Sequence, residues 1–102
     1  MTPSSPFAVA VNDDSTQLKL LSGLLRKAGL VPRAFTRAEA ALTTMSSGAD
    51  APPALIVTDL YMPGIDGWQF CRLLRSPDYK AFNQVPILVL SLIHISEPTR
   101  PY

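Results

Sequence analysis

The chain has 102 residues and a formal net charge of +1, with 47% hydrophobic and 17% charged residues. That length allows one domain with a modest core, and the composition is that of a globular rather than a disordered chain. The charge balance, without a basic run, gives no electrostatic support for nucleic-acid binding. No apolar stretch reaches the length of a membrane span, and the lone Cys71 excludes an internal disulfide or a multi-cysteine metal site.

The opening segment MTPSSPFAVAV has no basic n-region and no cleavage site, so a cytoplasmic rather than an exported chain is expected. FAVAV (7–11) is an apolar run of strand length. From Ser15 the period changes: Leu18, Leu21, Leu24, Leu25 and Ala28 recur at helical spacing, with Gln17, Lys19, Arg26 and Lys27 opposite. Asp14 or Ser15 suits the cap of this helix, and Gly29 the left-handed residue past its end. LVPRAF (30–35) reads as a second strand, at an edge because of Pro32. Thr36 and Glu39 have capping-box spacing and open a second helix of roughly three turns, ending near Ser47 and Gly48. ALIVTD (54–59) is the third strand, DGWQFCRLLR (66–75) a third helix, SPDYKAFNQ (76–84) a loop and VPILVL (85–90) the fourth strand. Strands alternating with helices predict an α/β fold, a parallel sheet with helices on both faces.

In such a sheet all strands end at one edge, where open α/β folds bind their ligands. The first strand ends at Asn12, Asp13 and Asp14 and the third at Asp59. Asp59 alone fits a turn residue. Asp13 and Asp59 together, on neighbouring strands, repel unless they share a proton or a cation. Oxygen donors with no His or Cys nearby favour Mg²⁺. A carboxylate beside such a cation can attack phosphorus and form an acyl phosphate.

VNDD (11–14), TDLYMPGIDGWQF (58–70) and VPILVLS (85–91), in this order and spacing, resemble the receiver domain of two-component response regulators over about residues 7–91. The resemblance implies a flavodoxin-like, doubly wound parallel sheet of order 2-1-3-4-5, truncated here after the fourth strand. It implies Asp59 as phosphoacceptor and Mg²⁺ held by Asp13, Asp59 and the Tyr61 backbone carbonyl, with Asn12 reaching it through water. It places Ser91 at the switch hydroxyl, and Asp66 and Gly67 at the start of the third helix in a structural role. Trp68 and Phe70 are divided between core and partner-facing surface. The implied donor is a histidine kinase or phosphotransfer protein, and the domain is a phosphoacceptor with self-catalysed transfer rather than an enzyme. No membrane or direct nucleic-acid partner is implied for this segment.

Two departures from the pattern stand out. Asn12 occupies a position where the family usually has an acid, which lowers the charge offered to a metal. After Val89, nothing matches the expected helix, fifth strand with its lysine, and closing helix. Instead LSLIHISEPTR (90–100) resembles the in-frame translation of a transposase sequencing adapter. Residues 7–91 are therefore expected to be a partial receiver domain and 92–102 a non-native tail. That origin makes the match of Ser91 accidental, and His94 is not read as a phosphorelay histidine. Two other functions fit some of these residues. A degenerate receiver that binds proteins without phosphorylation is favoured by Asn12 and opposed by the intact Asp59 loop. A phosphohydrolase with an aspartyl nucleophile would need a second acid at position 61, which is Tyr.

Overall fold

The computed structural model describes residues 6–47 and 51–90. Ser91, His94 and all but the first residue of the adapter-like segment lie outside them. The elements run β1 (Phe7–Val11), α1 (Ser15–Lys27), β2 (Val31–Phe35), α2 (Ala38–Ser47), β3 (Leu55–Asp59), α3 (Gly67–Leu74), a 3-10 turn (Pro77–Phe82) and β4 (Ile87–Leu90). The four strands form one parallel sheet in the order β2-β1-β3-β4. This is the flavodoxin-like arrangement over the strands described, and β2 with its Pro32 lies at an edge as expected. Order reverses between β1 and β3, so the ends of these two strands frame the crevice such folds use.

Side chains alternate across β1 and sort the core into two layers. Val9, Val11 and Ile56 face α2 and α3, where they pack with Ala41, Leu42, Phe70 and Leu74. Ala8, Ala10 and Val57 face α1 and meet Leu18 and Leu25. The small alanines let α1 lie close to the sheet.

Local chemistry sets the helix ends. Asp14 caps α1, its Oδ1 accepting from the N–H groups of Thr16 (2.9 Å) and Gln17 (3.1 Å). Gly29 closes the helix in the left-handed region with φ of 88°. Asp66 caps α3 in a full capping box with Gln69, whose side chain returns to the Asp66 N–H at 3.0 Å.

Three expectations are corrected. The capping box at Thr36 and Glu39 does not form. α2 begins at Ala38, one residue too late for that spacing, and Glu39 Oε1 is buried without a hydrogen-bond partner. On α1 the stripe that meets the sheet is Leu18, Ser22 and Leu25, which leaves Leu24 59% exposed on its margin. The segment after α3 is not an open loop, because Pro77 starts a 3-10 turn that buries Phe82. Arg75 donates from its guanidinium to the carbonyls of Phe82 (3.0 Å) and Val85 (2.8 Å). Asn83 donates to those of Leu74, Ser76 and Tyr79. Polar side chains thus hold a stretch that the apolar pattern leaves unassigned.

Candidate functional site

Asp59 ends the central strand β3 and is only 7% exposed. Its Oδ1 accepts the N–H of Leu60 at 2.9 Å, and Thr58 Oγ1 donates to its carbonyl oxygen at 2.9 Å. The start of α3 packs against this point. A Cβ on Gly67 would sit 2.5 Å from the Asp59 carbonyl oxygen and 2.9 Å from Leu60 Cα, so only glycine lets the helix approach. Gly64, with φ of 78°, turns the connecting loop where a Cβ would meet Glu39 Oε2 at 2.5 Å. A glycine is therefore required at the turn within the loop between β3 and α3 and again where that loop joins α3.

The carboxylate opens into a crevice lined by Asp13, Asp14, Gln17, Asp59, Tyr61, Met62, Pro63 and Asp66. Sequence reasoning placed Asp13, Asp59 and Tyr61 together, and all three line it. Asp14 serves twice, as the cap of α1 and as part of the acidic wall. Burial raises the pKa of Asp59, and Asp13 and Asp14 raise it further, against the N–H groups of Leu60 and Tyr61, which lower it. A charge on Asp59 is thus costly here, and a cation in the crevice would relieve that cost.

Asn12 behaves differently from its neighbours. It is buried at 3% exposure and is absent from the crevice wall. Its Oδ1 accepts the backbone N–H of Asp14 at 2.9 Å, and its Nδ2 donates to Gln17 Oε1 at 3.0 Å. Gln17 is a crevice residue that sequence reasoning missed. The only signal was an amide five residues after another amide across a helix start, and no periodic pattern marks such a pair. Trp68 and Phe70 separate cleanly: Phe70 is fully buried and Trp68 is 58% exposed in the first turn of α3.

The donor set suits a hard cation, since the polar side chains of the crevice wall, four aspartates with Gln17 and Tyr61, offer oxygen. Among the described residues no group of three or more His, Cys, Asp or Glu side chains is placed to hold a metal by itself. Oxygen donors of this kind are compatible with a hard ion that keeps part of its own water.

An open parallel α/β sheet with an acidic crevice at its carboxyl edge is the class this fold and site define. Within it, the chain belongs to the response regulator receiver domain family, whose model matches residues 8–100. It is 38% identical over 89 residues to the transcriptional regulatory protein PrrA of Mycobacterium leprae (strain TN), covering 86% of this chain and 35% of that protein. To the two-component response regulator ORR5 of Oryza sativa subsp. japonica it is 24% identical over 92 residues, 90% of this chain and 66% of that one. The chain thus spans only part of both relatives. A response regulator receiver protein from Pseudomonas putida matches with a TM-score of 0.72 over 88% of this chain and 70% of that one. At 23% identity it speaks for the fold alone.

Proposed function

We propose that Asp59 is the phosphoacceptor of this receiver domain and takes its phosphoryl group from the phosphohistidine of a histidine kinase or phosphotransfer protein. The observation that supports this best is the buried Asp59 carboxylate, kept against its own electrostatics at the mouth of an acidic crevice. Perturbed carboxylates set in a cleft cluster at functional sites. An Asp59 oxygen forms the bond to phosphorus as the phosphorus–nitrogen bond breaks, its electron pair remaining on the donor imidazole. Asp13, Asp59 and the Tyr61 carbonyl would hold Mg²⁺, which when bound neutralises the phosphoryl oxygens. The N–H of Leu60 holds one Asp59 oxygen in place. A cytoplasmic location belongs to the same proposal, in keeping with the free Cys71.

We also propose that the LSLIHISEPTR segment is adapter-derived and the receiver domain partial, a reading that rests on those eleven residues. Reading the native gene through the codon for Leu90 tests it. The phosphoacceptor assignment is tested with acetyl phosphate or phosphoramidate and Mg²⁺, on this chain and on one carrying the native continuation. Intact-mass analysis should show one added phosphoryl group that is lost in Asp59→Asn. Labelling that persists in that variant overturns the assignment.

A second reading, a protein-binding module independent of phosphorylation, is favoured by Asn12, which brings no charge and is engaged within the fold. A Mg²⁺ titration of Trp68 fluorescence separates the two, because only the phosphoacceptor reading requires a saturable response.

A further inference from the structure

We infer that Gln17 is a phosphoryl-binding residue of this site, held in place by Asn12; the inference rests on Asp59 as phosphoacceptor. Three observations carry it. Gln17 lines the same crevice as Asp59. Its backbone N–H is tied to Asp14 Oδ1 at 3.1 Å, and its side-chain Oε1 accepts from Asn12 Nδ2 at 3.0 Å. The orientation of both amides follows from chemistry, because the backbone N–H of Asp14, at 2.9 Å, only donates and so fixes which Asn12 atom is the oxygen. Asn12 must then donate to Gln17, and Gln17 must accept with its oxygen.

What Gln17 has left for a ligand is its Nε2 donor. A water bound to Mg²⁺ turns its hydrogens outward and seeks an acceptor, so this donor does not match the metal's hydration shell. It matches a phosphoryl oxygen. A donor pinned at both its backbone and its far oxygen is preorganised, which is the condition for a hydrogen bond to favour an anion over water. The neutral Asn12 thus acts through Gln17: the site gives up a carboxylate beside the metal and gains a fixed donor for the phosphoryl group.

The test uses fluoroberyllate, a tetrahedral stand-in for the aspartyl phosphate, at saturating Mg²⁺, with Trp68 fluorescence or fluorine NMR as readout. Gln17→Met removes the donor and keeps the length of the side chain. It should weaken fluoroberyllate binding on the order of tenfold, the worth of one hydrogen bond to a charged group, with Mg²⁺ binding unchanged. Asn12→Ala should cause a similar loss, and the double variant little more than either single one, since both act through one contact. Asn12→Asp makes Gln17 turn its amide over to donate to the new carboxylate, so it should tighten Mg²⁺ while weakening fluoroberyllate. Those opposite signs cannot come from a damaged fold. Wild-type affinity for fluoroberyllate in Gln17→Met, or equal losses for Mg²⁺ and anion, overturns the inference and leaves the phosphoacceptor reading standing. A wild-type chain that binds Mg²⁺ but no fluoroberyllate overturns both.

Discussion

The two faces of the sheet are packed by different rules. Towards α2 and α3, eleven buried residues form one cluster that includes the fully buried Phe70 and Leu74, with the valines of β1 as its floor. Towards α1, among the described residues, the buried cluster has five members, the floor is mainly alanine, and the sheet meets one helix. Leu88 belongs to this thinner side, because it pairs in register with Val57, yet it is 51% exposed. The same alternating strands thus support a deep layer and a shallow one. Among the described residues the difference lies in how many helices each face receives, and stability should follow that inequality.

The strongest way to break the comparison is Phe70→Ala. On the deep face it should cost about 3–5 kcal/mol, enough to remove most of a small domain's stability, whereas Leu24→Ala on the margin of α1 should cost less than about 0.5 kcal/mol. Urea unfolding of both variants decides it, and similar losses would mean that the margin of α1 is packed as firmly as the deep face. Gly67→Ala comes next. Its Cβ would meet backbone atoms of Asp59 and Leu60 that cannot swing aside, so a loss of about 1–3 kcal/mol is expected, together with weaker Mg²⁺ binding. A variant that melts like wild type would show that α3 can shift without disturbing the site.

Asp59→Asn should move stability the other way. The pKa of Asp59 is raised in the folded chain, chiefly by burial. The folded state therefore binds this proton more tightly than the unfolded state. Its relative stability is highest at low pH and is lost as the pH rises through the raised value. The asparagine variant should outlast wild type in urea at pH 7 without metal, with the gap closing as the pH falls towards the ordinary carboxylate value of 3.8. Added Mg²⁺ should also close it, by stabilising wild type alone. A gap independent of both pH and Mg²⁺ would rule out charge as its cause. The smallest effect belongs to the shallow face: Leu88→Lys should change stability by less than about 0.5 kcal/mol while reducing self-association along β4, an edge strand in the described sheet. Size-exclusion chromatography across a concentration series reads that difference.

Much of this was legible in the chain because it is written in periodicity. Val9, Val11, Ile56 and Val57 announce buried strands, and an acid that ends such a run, as Asp59 does, marks the carboxyl edge of the sheet. Asp13 joins it because parallel strands must end together. What was not legible depends on where side chains turn once the backbone is set. Thr36 and Glu39 have the spacing of a capping box, but α2 starts at Ala38 and the box falls out of register. Asp66 and Gln69 form a complete one. Leu24 satisfies helical spacing yet misses the sheet, because one helix on a flat surface buries a stripe narrower than its apolar arc. The bond from Asn12 to Gln17 joins a strand end to a helix side chain, and no pattern of apolar residues records it.

The Arg75 and Asn83 contacts carry a consequence for the order of folding. Their hydrogen bonds span only four to ten residues along the chain, so closing them costs little loop entropy. They join the end of α3 to the approach of β4 before any distant pairing is needed. The stretch from the end of α3 to the start of β4 can therefore mature as a local unit, ahead of the longer-range strand pairings. Native-state hydrogen exchange can follow this unit directly: in Arg75→Met, amides of Ile87–Leu90 should lose protection while those of Phe7–Val11 keep theirs. Equal loss in both strands would mean that the sheet opens and closes as one.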